Sequence, residues 1–72
     1  MNAPTEMNAI DVMRVRLGVL EREHRDLDDA IQALEDTGTA DAFTIKRLKK
    51  QKLRLKDQIQ YLEDQINPDI IA

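Results

Sequence analysis

Two stretches of the sequence repeat apolar residues at alternating intervals of three and four, and this spacing restricts the fold more than any other feature. An average interval of 3.5 residues places such side chains along one side of an α-helix, as at the a and d positions of a coiled coil. The sequence therefore predicts two amphipathic helices. The series are Ile10, Met13, Leu17, Leu20, Leu27, Ile31 and Leu34, then Ile45, Leu48, Leu55, Ile59, Leu62 and Ile66. Together with His24 and Lys52, which interrupt them, we call these residues the seam.

The short segment between the two series indicates a turn. Gly38 suits the left-handed residue that ends a helix, and Thr39 or Asp41 can cap the next helix by accepting backbone N–H bonds. Two helices joined by a short turn form an antiparallel hairpin. The alternative, one continuous helix in a parallel coiled coil, is disfavoured by Gly38. The predicted fold class is all-α, an antiparallel two-helix coiled-coil hairpin that could dimerise into a four-helix bundle.

The boundaries follow from capping residues and proline. Thr5 or Asn8 can cap the first helix, and Pro68 stops the second because the residue before a proline is pushed out of the α region. We expect a single domain over 1–72. Its predicted parts are a helix over about 6–36, a turn over about 37–41, a helix over about 42–66 and a flexible tail over 67–72.

The antiparallel register is consistent along the whole hairpin. From Leu34 facing Ile45 to Met13 facing Ile66, every pair of seam residues that face each other has the same sum of residue numbers. The residues beside the seam agree, because antiparallel packing pairs opposite charges on one side. These expected pairs are Asp28 with Lys49, Glu21 with Lys56 and Arg14 with Glu63. Exposed pairs contribute little stability, but they disfavour other registers.

The composition argues against an enzyme. The 72 residues include no cysteine and only one histidine, which excludes a disulfide framework, a thiolate zinc site and a cysteine nucleophile. No nucleophile–base pair or glycine-rich phosphate loop is present, and two helices alone enclose no cleft. We expect no catalytic residue, metal, cofactor or small-molecule substrate. No apolar run is long enough to span a membrane, and the net charge of -3 favours a cytoplasmic protein.

His24 and Lys52 are the two polar residues of the seam, in neighbouring layers near its middle. A polar residue at one such position commonly costs stability while fixing register or oligomeric state. Lys52 can bury its methylene groups and carry its ammonium group to the edge, towards Asp28 or Glu23. We interpret both as seam-specificity residues. A metal-binding, pH-sensing or catalytic role for His24 is the alternative.

The segment from Lys46 to Lys56 is strongly basic, with seven of the chain's eleven Lys and Arg residues. Alone it resembles a nucleic-acid or anionic-membrane patch. The hairpin lays it beside the acidic residues of 21–36, so we expect internal charge compensation and no membrane partner. We also expect no aromatic residue there to stack on bases. The alternative function, a nucleic-acid-associated accessory protein, would use the basic face Lys46, Arg47, Lys50 and Arg54.

Several apolar residues lie outside the seam, namely Val12, Val15, Val19, Leu53 and Tyr61. The three valines form a stripe at helical spacing, opposite the seam. A hairpin this small has little core of its own, so a second interface would add stability. We therefore predict a protein–protein interaction module that forms a homodimer or binds another helical protein.

One family matches these features. The stretches Leu20–Ile31 and Leu48–Ile59, the latter read as LKKQKLRLKDQI, resemble the YdcH family (the DUF465 domain) of small bacterial proteins over about residues 10–62. The resemblance implies a short helical hairpin of uncharacterised biochemical function. It supports the fold and supplies no reaction, ligand or catalytic residue. The residues that fall on the family's pattern are His24, Lys50, Lys52, Leu53, Leu55, Lys56 and Asp57.

Overall fold

Two helices packed against each other account for most of the chain. The computed structural model describes residues 8–68, with helix α1 over Ala9–Thr37 and helix α2 over Ala42–Ile66. No strand is present within that range. The predicted all-α helical hairpin is therefore confirmed. The expected start of the first helix near residue 6 and most of the predicted tail, residues 69–72, lie outside the described residues.

Each helix begins at a side chain that satisfies an otherwise free backbone N–H group. The Oδ1 atom of Asn8 accepts a hydrogen bond from the Asp11 N–H at 2.8 Å, and Oδ1 of Asp41 accepts one from the Thr44 N–H at 2.7 Å. The first turn of a helix has no internal partners for these donors. Of the proposed caps, Asn8 and Asp41 therefore fill the role, and Thr5 lies outside the described residues.

The turn between the helices depends on the backbone of Gly38. This residue has φ 65° and ψ 24°, the left-handed conformation that costs a side chain energy but is open to glycine. Its N–H donates to the Leu34 carbonyl at 2.9 Å, which closes the last turn of α1. The Thr37 hydroxyl also donates to the Ala33 carbonyl at 2.9 Å. The chain then reaches the Asp41 cap within three residues and reverses direction.

The seam forms the contact between α1 and α2. Every seam residue from Ile10 to Ile66, including His24 and Lys52, is buried or half-buried. Only Leu20, Ile31 and Leu62 are almost fully buried, with 6%, 2% and 8% of their surface exposed. The 3.5-residue interval therefore identifies the packed side of both helices. Two helices alone fully shield only the centre of that side from water. No helix within 8–68 is long and apolar enough to cross a membrane.

Candidate functional site

The two sides of the seam differ in chemistry. Heptad positions are counted with Ile10 and Ile45 as a. On the side we call the ion-pair flank, Asp28, Glu35 and Lys49 lie at e positions, and Lys52 reaches across from the seam. Nζ of Lys52 lies 2.7 Å from Oδ1 of Asp28, and Nζ of Lys49 lies 3.0 Å from Oε2 of Glu35. Both pairs join α1 to α2. The expectation that Lys52 carries its ammonium group to an acid at the seam's edge is confirmed for Asp28.

The pairing of charges on this flank differs from the prediction. Asp28 pairs with Lys52 instead of Lys49, and Lys49 pairs with Glu35. Side chains on a helix lean towards its N-terminus. In an antiparallel hairpin this moves Lys49 towards the turn, where Glu35 lies, and moves Asp28 away from the turn, towards Lys52. The predicted Asp28–Lys49 pair was therefore wrong because it assumed side chains perpendicular to the helix.

The other two predicted pairs are also not formed. Within residues 8–68 neither Glu21 and Lys56 nor Arg14 and Glu63 approach as closely as a salt bridge requires. Glu21 and Lys56 do line the same open groove of about 420 Å³. The remaining residues of this groove are His24, Arg25, Asp28 and Ile59. The two charges are therefore neighbours across the hairpin without direct contact.

The Lys52–Asp28 ion pair shifts the pKa of its carboxylate. The pKa of Asp28 is lowered from its ordinary value, chiefly by the hydrogen bond from Lys52 and by the positive charge of that ammonium group. His24 contributes a smaller effect in the same direction. The pKa of Asp41 is also lowered, because its carboxylate accepts the hydrogen bond from the Thr44 backbone at the start of α2. Both shifts stabilise the ionised form of an exposed carboxylate.

The opposite side of the seam, which we call the glutamine flank, carries few charges. It consists of the residues at the g positions of both helices, namely Arg16, Glu23, Ala30, Gln51, Gln58 and Gln65. Within the described part of the chain no salt bridge between α1 and α2 crosses it. Three open grooves run along this flank, and Gln58 lines all of them. They therefore form one continuous depression between the helices.

Four of the five exposed apolar residues singled out from the sequence border this depression. Val12, Val15 and Val19 are 52%, 59% and 44% exposed and line a groove of about 520 Å³ that also includes Leu20. Tyr61, 64% exposed, lines the adjoining groove, again with Leu20. The structure thus places the valines beside the glutamine flank and near Tyr61. The prediction that they lie opposite the seam was wrong, because they share a groove with Leu20 of the seam and Gln58 of the flank. We call Val12, Val15, Val19 and Tyr61 the apolar rim. Leu53 lines none of these grooves.

An aromatic residue beside the basic residues was missed. Phe43 is 77% exposed and shares an open groove of about 260 Å³ with Lys46, Arg47 and Lys50. The expectation that no aromatic side chain is available near the basic segment was therefore wrong. Phe43 lies three residues before Lys46 in sequence, and intervals of three, four and seven place all four residues on one helix face. Helical spacing could have found it, had the segment been extended by one turn.

The grooves of the described surface are open and contain no buried polar group. No polar or charged side chain is buried among residues 8–68, and no group of three His, Asp or Glu residues there is placed to share a metal ion. The grooves are shallow and open along the hairpin. They offer a partner apolar side chains, glutamine amides and a few charges. These are the groups found in the core and rim of protein interfaces.

Sequence comparison identifies the family. A family described as "Protein of unknown function (DUF465)" matches residues 18–63, which is more than half of the chain. The chain belongs to the DUF465 family. The match begins within α1 and ends within α2, so it spans the Gly38 turn and most of the seam of this DUF465 chain. Comparison with curated proteins and with solved structures gave no match.

Proposed function

We propose that this DUF465 chain is a non-enzymatic protein–protein interaction module whose docking surface is the glutamine flank with its apolar rim. The difference between the two flanks carries the proposal. On the ion-pair flank, the Lys52–Asp28 and Lys49–Glu35 pairs join the two helices. Their charged groups are already paired with each other, and a partner that docked there would have to displace these ion pairs. The other flank presents exposed valines and the Tyr61 ring, whose apolar surface is favourably removed from water, beside Gln58, whose uncharged amide can hydrogen-bond across an interface.

The partner we propose is a second copy of the same chain, packed so that two hairpins form a four-helix bundle. Within residues 8–68 only Leu20, Ile31 and Leu62 are almost fully buried, so the hairpin has little core of its own. A chain this small without disulfides or a metal commonly gains the missing burial by self-association. A second copy packed on the apolar rim would remove Val12, Val15, Val19 and Tyr61 from water, and each of these is at least 44% exposed in the single hairpin.

The charges on the glutamine flank suit this self-association. Arg16 and Glu23 both lie on the α1 side of the flank, and each lines the groove of the three valines. A two-fold axis passing between them, near Leu20, sets Arg16 of one copy beside Glu23 of the second copy, and Glu23 beside the second Arg16. A two-fold interface joins the same patch on both subunits, so a patch that carries both signs of charge complements itself.

The pKa shifts and the composition support two further parts of the proposal, namely the absence of catalysis and a cytoplasmic location. A catalytic acid or base usually depends on burial or a like charge to move its pKa towards neutrality. The two shifts found here lower the pKa of exposed aspartates that serve an ion pair and a helix cap. A chain without cysteine and with a pI near 5.0 fits the reducing, neutral interior of a cell.

Substitutions in the apolar rim test the docking surface. At concentrations of tens of micromolar, we expect analytical ultracentrifugation of the unchanged protein to give a molecular mass of about twice 8.3 kDa. Val15→Glu and Val19→Glu should each shift it to the monomer, because a buried unpaired carboxylate opposes association. Leu53→Glu is the matched control, since Leu53 has the same 59% exposure as Val15 but lies off the flank. This control should remain dimeric.

A charge exchange tests the two-fold arrangement. Arg16→Glu alone should weaken the dimer because it places two acids opposite each other, and adding Glu23→Arg should restore it. Recovery in the double variant is specific to a two-fold pairing of these residues. A fully helical monomer up to about 100 μM would contradict self-association. If another helical protein binds this monomer and Val15→Glu abolishes that binding, that protein is the partner.

A further inference from the structure

The outer face of α2 near the turn combines an exposed aromatic ring with a row of cations. Phe43, Lys46, Arg47 and Lys50 line one groove, and Arg54 lies one helical turn after Lys50 on the same face. We call these five residues the Phe43 stripe. Phe43 is 77% exposed, the highest exposure among the large apolar side chains of the described region. An apolar ring this exposed does nothing for the core of the hairpin.

The cations of the stripe form no salt bridges within the described region. The segment from Ala42 to Lys56 contains no Asp or Glu. Two of its seven basic residues, Lys49 and Lys52, are engaged by acids of α1. Among residues 8–68, no carboxylate forms a salt bridge with Lys46, Arg47, Lys50 or Arg54. The expected internal compensation therefore reaches the ion-pair flank but leaves the outer face of α2 positive, although the whole chain is acidic.

We propose that the Phe43 stripe binds single-stranded nucleic acid, with an unpaired base stacked on the Phe43 ring and the adjoining phosphates held by the four cations. Neighbouring side chains at intervals of three and four along a helix are about 5–6 Å apart. Such a row can follow an extended sugar–phosphate backbone. An exposed aromatic ring beside a positively charged track is the combination that sequence-tolerant single-strand binders use.

Duplex DNA and a membrane surface are also anionic, but they fit the Phe43 stripe less well than a single strand does. Duplex DNA keeps its bases stacked, so the Phe43 ring would have no base to contact and the acidic chain would rely on four cations alone. A helix that lies on a membrane needs a broad apolar face. The outer face of α2 offers only Phe43 and Leu53, which are ten residues apart. A flexible single strand can use one ring and a short row of charges.

Four of the five stripe residues are also separate from the proposed dimer interface. Phe43, Lys46, Arg47 and Lys50 line none of the three grooves on the glutamine flank. Only Arg54 reaches that flank, where it lines a groove with Glu23 and Leu27. Nucleic-acid binding can therefore succeed or fail independently of self-association, and a dimer would carry two stripes.

Fluorescence anisotropy with a labelled single-stranded oligonucleotide of mixed sequence tests the proposal, using the full chain. Four phosphate contacts on a single strand predict a salt slope of about −2.8, which is a loss of about 50-fold in affinity between about 50 and 200 mM salt. Phe43→Leu should lower the affinity at least about 5-fold at constant salt through loss of stacking. Lys46→Gln and Lys50→Gln should each reduce the magnitude of the slope by about 0.7.

The controls separate the stripe from general electrostatics. Lys56→Gln removes the same charge from the ion-pair flank and should change the affinity less than Lys46→Gln does. Circular dichroism should show unchanged helicity for Phe43→Leu, because that side chain is exposed. The proposal is overturned by three results. These are no binding at about 50 mM salt with 100 μM protein, unchanged affinity in Phe43→Leu, or binding to anionic vesicles alone.

Discussion

Nζ of Lys52 lies 2.7 Å from Oδ1 of Asp28, so a lysine that occupies a seam position delivers its charge to the edge of the hairpin. The Lys52 side chain is 32% exposed, which is enough to hydrate the ammonium group while its methylene groups cover the seam. The contact joins residues 24 positions apart, so it can form only in the folded hairpin. It links the register of the two helices to a charge pair.

Replacing the two polar seam residues should stabilise the protein and reduce its specificity. Lys52→Leu should raise the free energy of unfolding by about 1 kcal/mol, because a half-buried apolar side chain replaces an amphipathic one. The exposed ion pair that is lost contributes little. Adding His24→Leu should raise it further. Thermal melts at one fixed protein concentration measure the gain, and a lower melting temperature would contradict the role of these residues in the seam.

The same pair of variants should widen the range of oligomers. Polar residues at single seam positions disfavour alternative registers and partner numbers. Analytical ultracentrifugation of His24→Leu/Lys52→Leu should show species other than the one formed by the unchanged chain. Leu53→Ala, a change at an exposed position on α2, serves as the control and should leave the distribution unaltered. A single unchanged species in the double variant would remove the specificity role.

Acid should destabilise the hairpin through two aspartates. The pKa of Asp28 and that of Asp41 are lower in the folded chain than the ordinary value of 3.8. The unfolded chain therefore takes up these protons first as the pH falls. The stabilisation is fully present above about pH 3.8 and is lost as the pH falls through the folded values. The melting temperature should decrease over this range in melts recorded by circular dichroism.

Two variants identify the source of that acid sensitivity. Asn caps helices about as well as Asp but does not titrate, so Asp41→Asn should melt close to the unchanged chain near pH 6 and above it near pH 3. Asp28→Asn should likewise flatten the pH dependence, because it removes the carboxylate beside Lys52. Identical pH profiles for both variants and the unchanged chain would show that these two groups do not govern acid stability.

The two glycines should respond to alanine in opposite directions. A Cβ atom at either position meets no other atom within 4 Å, so packing does not decide the result. Gly38→Ala should destabilise the hairpin by about 1–2 kcal/mol, because φ 65° is unfavourable for alanine. Gly18→Ala lies inside α1 and should stabilise it by about 0.5–1 kcal/mol. Urea unfolding measures both, and equal signs would contradict the assigned backbone roles.

The buried seam residues should dominate the stability. Ile31 is 2% exposed, so Ile31→Ala should cost about 2–5 kcal/mol by leaving a cavity between the helices. Leu53→Ala removes a similar number of carbon atoms at 59% exposure and should change the free energy by no more than about 0.5 kcal/mol. Chemical denaturation compares the two directly. Similar losses would mean that α1 and α2 do not pack through the seam.

The seam and the caps could be predicted because they depend on neighbours in sequence. The interval between Leu17 and Leu20, or between Asp41 and the backbone of Thr44, is set by helical geometry alone. The choice of acid for Lys49 could not be predicted in this way. It depends on the direction in which side chains lean once the helices are antiparallel, and this gave Glu35 in place of Asp28.

The surface features were harder to predict from the sequence than the core, because they depend more on the tertiary structure. Val12 and Tyr61 are 49 residues apart, and only the hairpin places both beside the depression of the glutamine flank. Phe43 is an intermediate case. Its helical spacing to Lys46, Arg47 and Lys50 is present in the sequence, but its 77% exposure is a property of the assembled hairpin.

The two amphipathic helices, the position of the turn and the packed side of each helix are readable from the amino-acid order alone. These properties follow from periodicity, from Gly38 and from the capping residues, which act within one or two helical turns. The charge pairs across the hairpin and the apolar side chains that lie together at its surface required the folded chain. Antiparallel docking fixes distances between residues far apart in sequence, and no local interval encodes those distances.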